Sequence, residues 1–126
     1  KSLFESDGSP LHVNLSENGI DIDYVNSLIA KKPTILAVNF TNPWAIDEIY
    51  SDSRPNNINA VLATFGTTPE ALLDIVSGEF SPTGKMPFTT PVSDEMASKQ
   101  KSDLPGSMEE EGYALFHFDE GLTYKE

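Results

Sequence analysis

The sequence predicts an α/β fold built on a mostly parallel sheet, and three observations point there. Two short, nearly continuous apolar runs, Thr34–Phe40 (TILAVNF) and Ala60–Phe65, have the form of strands covered on both faces. The second run passes through a sharp turn at Gly66 into a helix with a marked start and a marked stop. Strand, tight loop and helix in that order are half of a βαβ unit, so a bundle or a sandwich of sheets is excluded. The two strands should lie parallel with a right-handed connection.

In chain order, residues 2–10 (SLFESDGSP) read as a loop with Asp7-Gly8 as its turn signal. Leu11, Val13 and Leu15 alternate with His12 and Asn14, predicting a short half-buried strand or extended segment, with His12 exposed or hydrogen-bonded on its polar side. Asp21 or Asp23 caps a helix whose face carries Ile22, Val25, Leu28 and Ile29. Lys31 and Lys32 suit the negative end of its dipole, and Pro33 stops it. After the first strand, Thr41-Asn42-Pro43 turns the chain, and Trp44, Ile46 and Ile49 predict a short amphipathic crossover ending near Tyr50. Residues 51–59 form a polar loop.

The helix after Gly66 is signalled twice. Thr67 with Glu70 makes a capping box, and Thr68-Pro69 offers a first-turn proline. Leu72, Ile75 and Val76 form its apolar stripe, and Gly78 is its left-handed stop. Beyond Pro87 the chain is expected to be irregular: extended at Phe88–Pro91, polar over Val92–Gly106, and packed on the core at Tyr113–Phe118.

A chain of 126 residues is one domain with room for a core. Its formal net charge of −12, with Arg54 the single arginine, repels phosphate backbones and anionic surfaces, so neither nucleic acid nor a membrane is an expected partner. Without cysteine there are no disulfides, thiolate metal sites or cysteine nucleophiles. The start at Lys1, without an initiator methionine, is that expected of a fragment or processed piece. Glu109, Glu110, Glu111, Asp119 and Glu120 accumulate where no basic residue intervenes. A solvated face is the expected reading, with cation binding as the alternative.

Gly66-Thr67-Thr68 sits between a strand end and a helix start, where free amides favour anions, yet no glycine-rich phosphate fingerprint surrounds it. A phosphate-binding doubly wound domain is therefore one function class to weigh. Glu5, in a loop ahead of the first strand with Phe4 and Asp7 beside it, is the carboxylate whose setting suits catalysis. No cofactor or metal is expected.

Longer motifs place these residues in a family. The run TFGTTPEALLDIVSGEFSPTGKMPFTTP resembles the carboxy-terminal α/β sandwich domain of glycoside hydrolase family 3, the β-glucosidase and β-xylosidase enzymes. There a strand leads through a G-x-E-G-like turn into A-x-A-D-V-L-x-G and then N-P-S-G-K-L-P-x-T. This chain has Ala71–Gly78 (ALLDIVSG) and then Ser81–Thr89 (SPTGKMPFT). KKPTILAVNFTNPWAID is similar to K-P-x-V-x-V-x-x-x-x-N-P, and Tyr113–Tyr124 (YALFHFDEGLTY) to Y-x-L-F-x-F-G-x-G-L-S-Y. The chain departs from the pattern at Asp119-Glu120, where Asp tolerates left-handed backbone, and at Thr67-Thr68-Pro69, which keeps helix capping.

The resemblance implies a partial (αβ)6-type sandwich, a mostly parallel sheet flanked by helices with an irregular C-terminal segment. Residues 1–126 would be its second half. It also implies that Glu5, at the glutamate of an x-x-x-E-x-x-G-D loop, is the general acid/base of a retaining β-glycosidase acting on terminal β-linked glucose or a related sugar. Asp7 competes for that role, and Phe4 and Asp7 are candidate substrate contacts. The nucleophilic aspartate of such enzymes belongs to a separate barrel domain, the implied intramolecular partner. Alone, Glu5 would face no nucleophile and titrate as an ordinary carboxylate, so the isolated chain is expected to be inactive. An open sheet edge would invite self-association. A non-catalytic carbohydrate-binding or interaction module is the alternative.

Overall fold

Local capping signals set most element boundaries. A computed structural model describes residues 12–51, 56–100 and 111–124. A 3-10 turn at Ser16–Asn18 precedes α1 (Ile22–Ile29), β1 (Thr34–Asn39), β2 (Ile58–Thr64), α2 (Pro69–Ser77), β3 (Thr90–Pro91), α3 (Asp94–Lys99) and β4 (Ala114–Phe116). Asp21, not Asp23, caps α1, its carboxylate accepting the Tyr24 N–H at 2.9 Å. Thr68 caps α2 by accepting the Ala71 N–H at 3.3 Å, with Pro69 leading the helix. The cap thus falls one residue past the expected Thr67–Glu70 box, because proline at the first helical position needs no amide partner. Gly78 ends the helix at φ +82°, as its position predicts.

β1 and β2 pair in parallel, Ile35 opposite Ala60 through Asn39 opposite Thr64. This is the expected mixed α/β architecture. β2 begins at Ile58, inside the segment read as loop, and Phe65 lies beyond its end. The expectation that both faces are covered is not met among the described residues. Side chains of β1 alternate between half-buried and exposed, Ile35 is 48% exposed, and α2 contributes no buried residue. The apolar run marks both faces for burial, but the described residues cover one.

Three other expectations need correction. Leu11 lies outside the described residues, and Val13 and Leu15 form no strand. Their amides, with that of Ser16, are spent on distant carboxylates instead of a ladder. The Trp44–Tyr50 crossover is a turn, not a helix, closed by Ile49 and Tyr50 N–H groups that both donate to the Ile46 carbonyl at 2.9 and 2.8 Å. The polar segment after Val92 contains α3, capped by Ser93 through the Met96 N–H at 3.3 Å, with Asp94 and Glu95 in its first turn and Lys99 in its last.

The buried core comprises Ile29, Phe40, Ala45, Ile46, Ile49, Met86, Tyr113 and Leu115, with Thr90 and Pro91 fully enclosed. Ile46 has no accessible surface. The core therefore gathers on the 45–49 turn and on the C-terminal segment, where Phe116 stacks on Tyr50 at 6.3 Å and 15°. β3 and β4 pair antiparallel, Thr90 opposite Phe116.

The two C-terminal motifs close on each other. Met86 N–H donates to the Glu120 carbonyl at 2.8 Å and Asp119 N–H to the Met86 carbonyl at 2.9 Å. Asp119 adopts φ +64°, the left-handed geometry expected of it. A Cβ on Gly121 would stand 2.4 Å from the Gly84 carbonyl oxygen, so the crossing needs glycine for space.

Two consequences are measurable by denaturant unfolding. Gly121→Ala should destabilise the chain by about 1–3 kcal/mol through overpacking against backbone. Thr68→Ala should cost about 1 kcal/mol, the loss of an N-cap, while Thr67→Ala should cost a few tenths at most.

Candidate functional site

Glu5, Phe4 and Asp7 lie outside the described residues. What is described is the strap that follows them, residues 12–18, and its fastening. Among the described residues the strap has no strand partner, and its backbone amides find other acceptors. Asp94 Oδ1, on the first residue of α3, accepts the Val13 N–H at 2.7 Å. Glu48 Oε2, on the buried 45–49 turn, accepts the Leu15 and Ser16 N–H groups at 2.7 and 2.9 Å. The Val13 carbonyl takes the Ala45 N–H at 2.9 Å, and Asn18 Nδ2 bridges the His12 and Asn14 carbonyls at 3.1 and 2.7 Å.

His12 is exposed and hydrogen-bonded, as its polar-side position predicts. Its Nδ1 lies 3.0 Å from Asp94 Oδ2 and 2.8 Å from Glu17 Oε2. Ionised carboxylates only accept, so the proton in these contacts sits on Nδ1.

Both fastening carboxylates are tuned toward the charged form. Burial alone would push Glu48 up. The Ser16 hydroxyl and amide and the Leu15 amide outweigh burial and the nearby Asp94 charge, holding Glu48 below the ordinary range. At Asp94 burial again opposes, and donors from Val13, His12 and Asn14 prevail. Sequence reasoning missed both residues. Ser93-Asp94-Glu95 was a readable helix start, but nothing in sequence shows that Asp94 reaches a strap about eighty positions earlier.

The carboxyl end of the parallel sheet, where α/β folds bind ligands, carries aromatic side chains. Phe65 packs edge-on against Phe88 at 5.9 Å, and Phe40 lies 6.3 Å from both. Phe65 remains 48% exposed, so this end presents apolar surface. The anion-binding reading of Gly66–Thr68 loses donors here: the Gly66 N–H is given to Asn39 Oδ1 at 3.0 Å, and the Ala71 N–H to the cap. Among the described residues no group of three His, Asp or Glu side chains could hold a metal ion. No helix among them is long and apolar enough to cross a membrane.

The model for the glycosyl hydrolase family 3 C-terminal domain matches residues 10–124, nearly the whole chain. The chain belongs to that family. The mutual closure of residues 81–89 and 113–124 is thus the packing of two stretches within one matched domain. Among curated relatives, this family 3 C-terminal domain is 35% identical to "Beta-glucosidase C" of Emericella nidulans over 94 residues, 75% of this chain and 14% of the relative. It is also 35% identical to "Probable beta-glucosidase C" of Aspergillus oryzae over 92 residues, 73% of this chain and 13% of the relative. A "Periplasmic beta-glucosidase/beta-xylosidase" of Dickeya chrysanthemi is 30% identical over 95 residues, 75% of this chain and 13% of the relative. The family 3 domain here therefore spans about a seventh of the length of these relatives.

The depressed carboxylates give a pH prediction with a definite sign. Groups held below their unfolded values contribute stability that is full above about pH 4–5 and lost as pH falls through the folded values. Stability should therefore decline on acidification below about pH 5. Glu48→Gln should flatten that decline, as read from denaturant midpoints across the acid range.

Proposed function

We propose that this domain supplies the general acid/base of a retaining β-glucosidase, with Glu5 as the proton donor and Asp7 as the competing carboxylate. Family membership carries the reading: the domain matches a carbohydrate-hydrolase family, and the curated relatives bear β-glucosidase names. The substrate is a terminal β-linked glucose or a related sugar, as a free β-glucoside or an oligosaccharide. The strap that follows Glu5 is firmly fastened, which suits a loop that must present a side chain to a second body.

Retaining glycosidases set two carboxylates about 5–5.5 Å apart, one attacking the anomeric carbon and one protonating the leaving oxygen. In the proposed arrangement the attacking aspartate belongs to a barrel domain outside these 126 residues, and the two carboxylates meet between domains. The proton donor then gains its raised pKa from desolvation and from the nucleophile's charge, which exist only when the barrel covers it. Phe4 and Asp7 are the proposed substrate contacts, Phe4 as a wall of the leaving-group subsite.

A second, accompanying reading concerns association. Among the described residues β1 and β2 each pair on one side only, and Ile35 is half exposed. An edge of this kind takes further strands, from the rest of a sandwich or from a second copy.

Assayed alone on an aryl β-glucoside, the 126-residue chain should give no turnover. Turnover by the intact purified chain would place the nucleophile here and overturn the proposal. In the barrel-bearing enzyme Glu5→Gln should lower kcat by about 10²–10⁴-fold, the scale of a lost general acid/base, whereas a non-catalytic binding module would lose little. A monodisperse monomer by light scattering at high concentration would remove the self-association reading.

A further inference from the structure

One ring nitrogen on the strap serves two carboxylates. His12 Nδ1 stands 2.8 Å from Glu17 Oε2, in the 3-10 turn of the strap itself, and 3.0 Å from Asp94 Oδ2, on α3. A single N–H is poorly aligned on two acceptors at once, so a neutral ring satisfies one of them well at best. In the other neutral tautomer, with its proton on Nε2, the Nδ1 lone pair faces two groups that also only accept. The imidazolium alone brings a charge to set against two anions gathered at one atom.

The neighbouring charges act in the same direction. Among the described residues Asp94 and Glu17 face His12, and the charge of Glu48, on the 45–49 turn, is coupled to that of Asp94. The base at the end of α3, Lys99, is bonded to Glu95 at 2.6 Å. Asp94 registers the histidine from its own side: burial opposes its ionisation, and the Val13 amide and the His12 ring are among the donors that prevail. Such coupling is mutual, so a carboxylate that His12 helps to keep ionised helps in turn to keep a proton on His12. Exposure sets the size. His12 and Glu17 are about half exposed, at 49% and 51%, where a pair is worth little, whereas Asp94 is 27% exposed and carries more of the effect.

We propose that His12 is a pH-responsive latch on the strap: as an imidazolium it ties Asp94 of α3 to Glu17 of the strap's own turn through one nitrogen, and as a neutral ring it lets the leading end open more often. The same Asp94 carboxylate takes the Val13 N–H through Oδ1 at 2.7 Å, so an opening here gives up the ring contact and the Val13 bond together. The bonds from the Ala45 N–H to the Val13 carbonyl and from Asn18 Nδ2 to the His12 and Asn14 carbonyls involve no titrating group. They hold the strap on the domain across the pH range, and His12 modulates its leading end. A ring raised above its unfolded value of about 6.5 contributes fully below that pH, and its contribution fades as pH rises through the folded value. None of this depends on the role proposed for Glu5.

In the isotopically labelled 126-residue chain, NMR should show the His12 ring titrating above the ordinary histidine value. Val13 amide exchange, corrected for its intrinsic pH dependence, should lose protection as pH rises through that titration, by about tenfold for each unit of elevation. His12→Gln should abolish this fall. Asp94→Asn should return the ring toward the ordinary value, and Glu17→Gln part of the way. His12→Gln and Glu17→Gln alter half-exposed side chains, and the β1 signals report that each variant is folded. Salt at about 1 M, where the screening length is about 3 Å, should shrink the elevation and the fall together. A ring titrating at or below the ordinary value overturns the latch. So does Val13 protection that stays flat while the ring titrates high, or a fall that survives in His12→Gln.

Discussion

The burial of the short turn at Ala45–Ile49 is the constraint on which the rest of the structure depends. Ile46 is wholly enclosed, and full burial of such a side chain is worth about 1.5–3 kcal/mol. The turn is also where polar groups from remote segments converge. Asn26 Nδ2 donates to the Glu48 carbonyl at 3.2 Å, and Asn56 Nδ2 to the Ile49 carbonyl at 3.1 Å. The Glu48 carboxylate takes the strap, and the Tyr50 ring takes Phe116. Apolar side chains point the turn inward while its backbone and one acidic side chain collect the chain around it. Helices, by contrast, supply little to the centre: of the residues of α1, α2 and α3 only Ile29 is buried.

This arrangement explains which parts of the fold were legible in the sequence. Features fixed by two to four neighbouring residues could be read to within a residue or two: a cap at Asp21 or Asp23, a cap at Thr67 or Thr68, the Gly78 stop, the two apolar runs and the left-handed Asp119. Features decided by partners far along the chain could not. Trp44, Ile46 and Ile49 have helical spacing, yet two asparagine side chains and the strap capture that backbone before a helix can continue. Val13 and Leu15 alternate like a strand, yet their amides find carboxylates. The helix α3 has a start signal in Ser93-Asp94-Glu95, but no apolar stripe follows to mark it as a helix.

The candidate site divides in the same way. Motif spacing sufficed to place the chain in its family and to single out Glu5, Phe4 and Asp7. The supporting residues, Asp94 and Glu48, carry no motif. They are ordinary acidic residues until the fold brings them to unpaired amides. Sequence therefore nominates a candidate for the chemistry more readily than the groups that fasten the backbone around it. The latter are chosen by topology, with long-range contacts that leave no local pattern.

The crossing of Gly84 and Gly121 carries one more implication. Two backbones meet there without an intervening side chain, and the adjoining Met86 bonds the same stretch from both its amide and its carbonyl. Everything between, including β3, α3 and β4, is thereby tied into a closed lariat whose entropy has already been surrendered at a single knot. Such a loop is suited to detach and re-form as a cooperative unit rather than fray residue by residue. Asp94, which accepts the Val13 N–H, lies between the two glycines, so slackening at the knot would be felt at the strap.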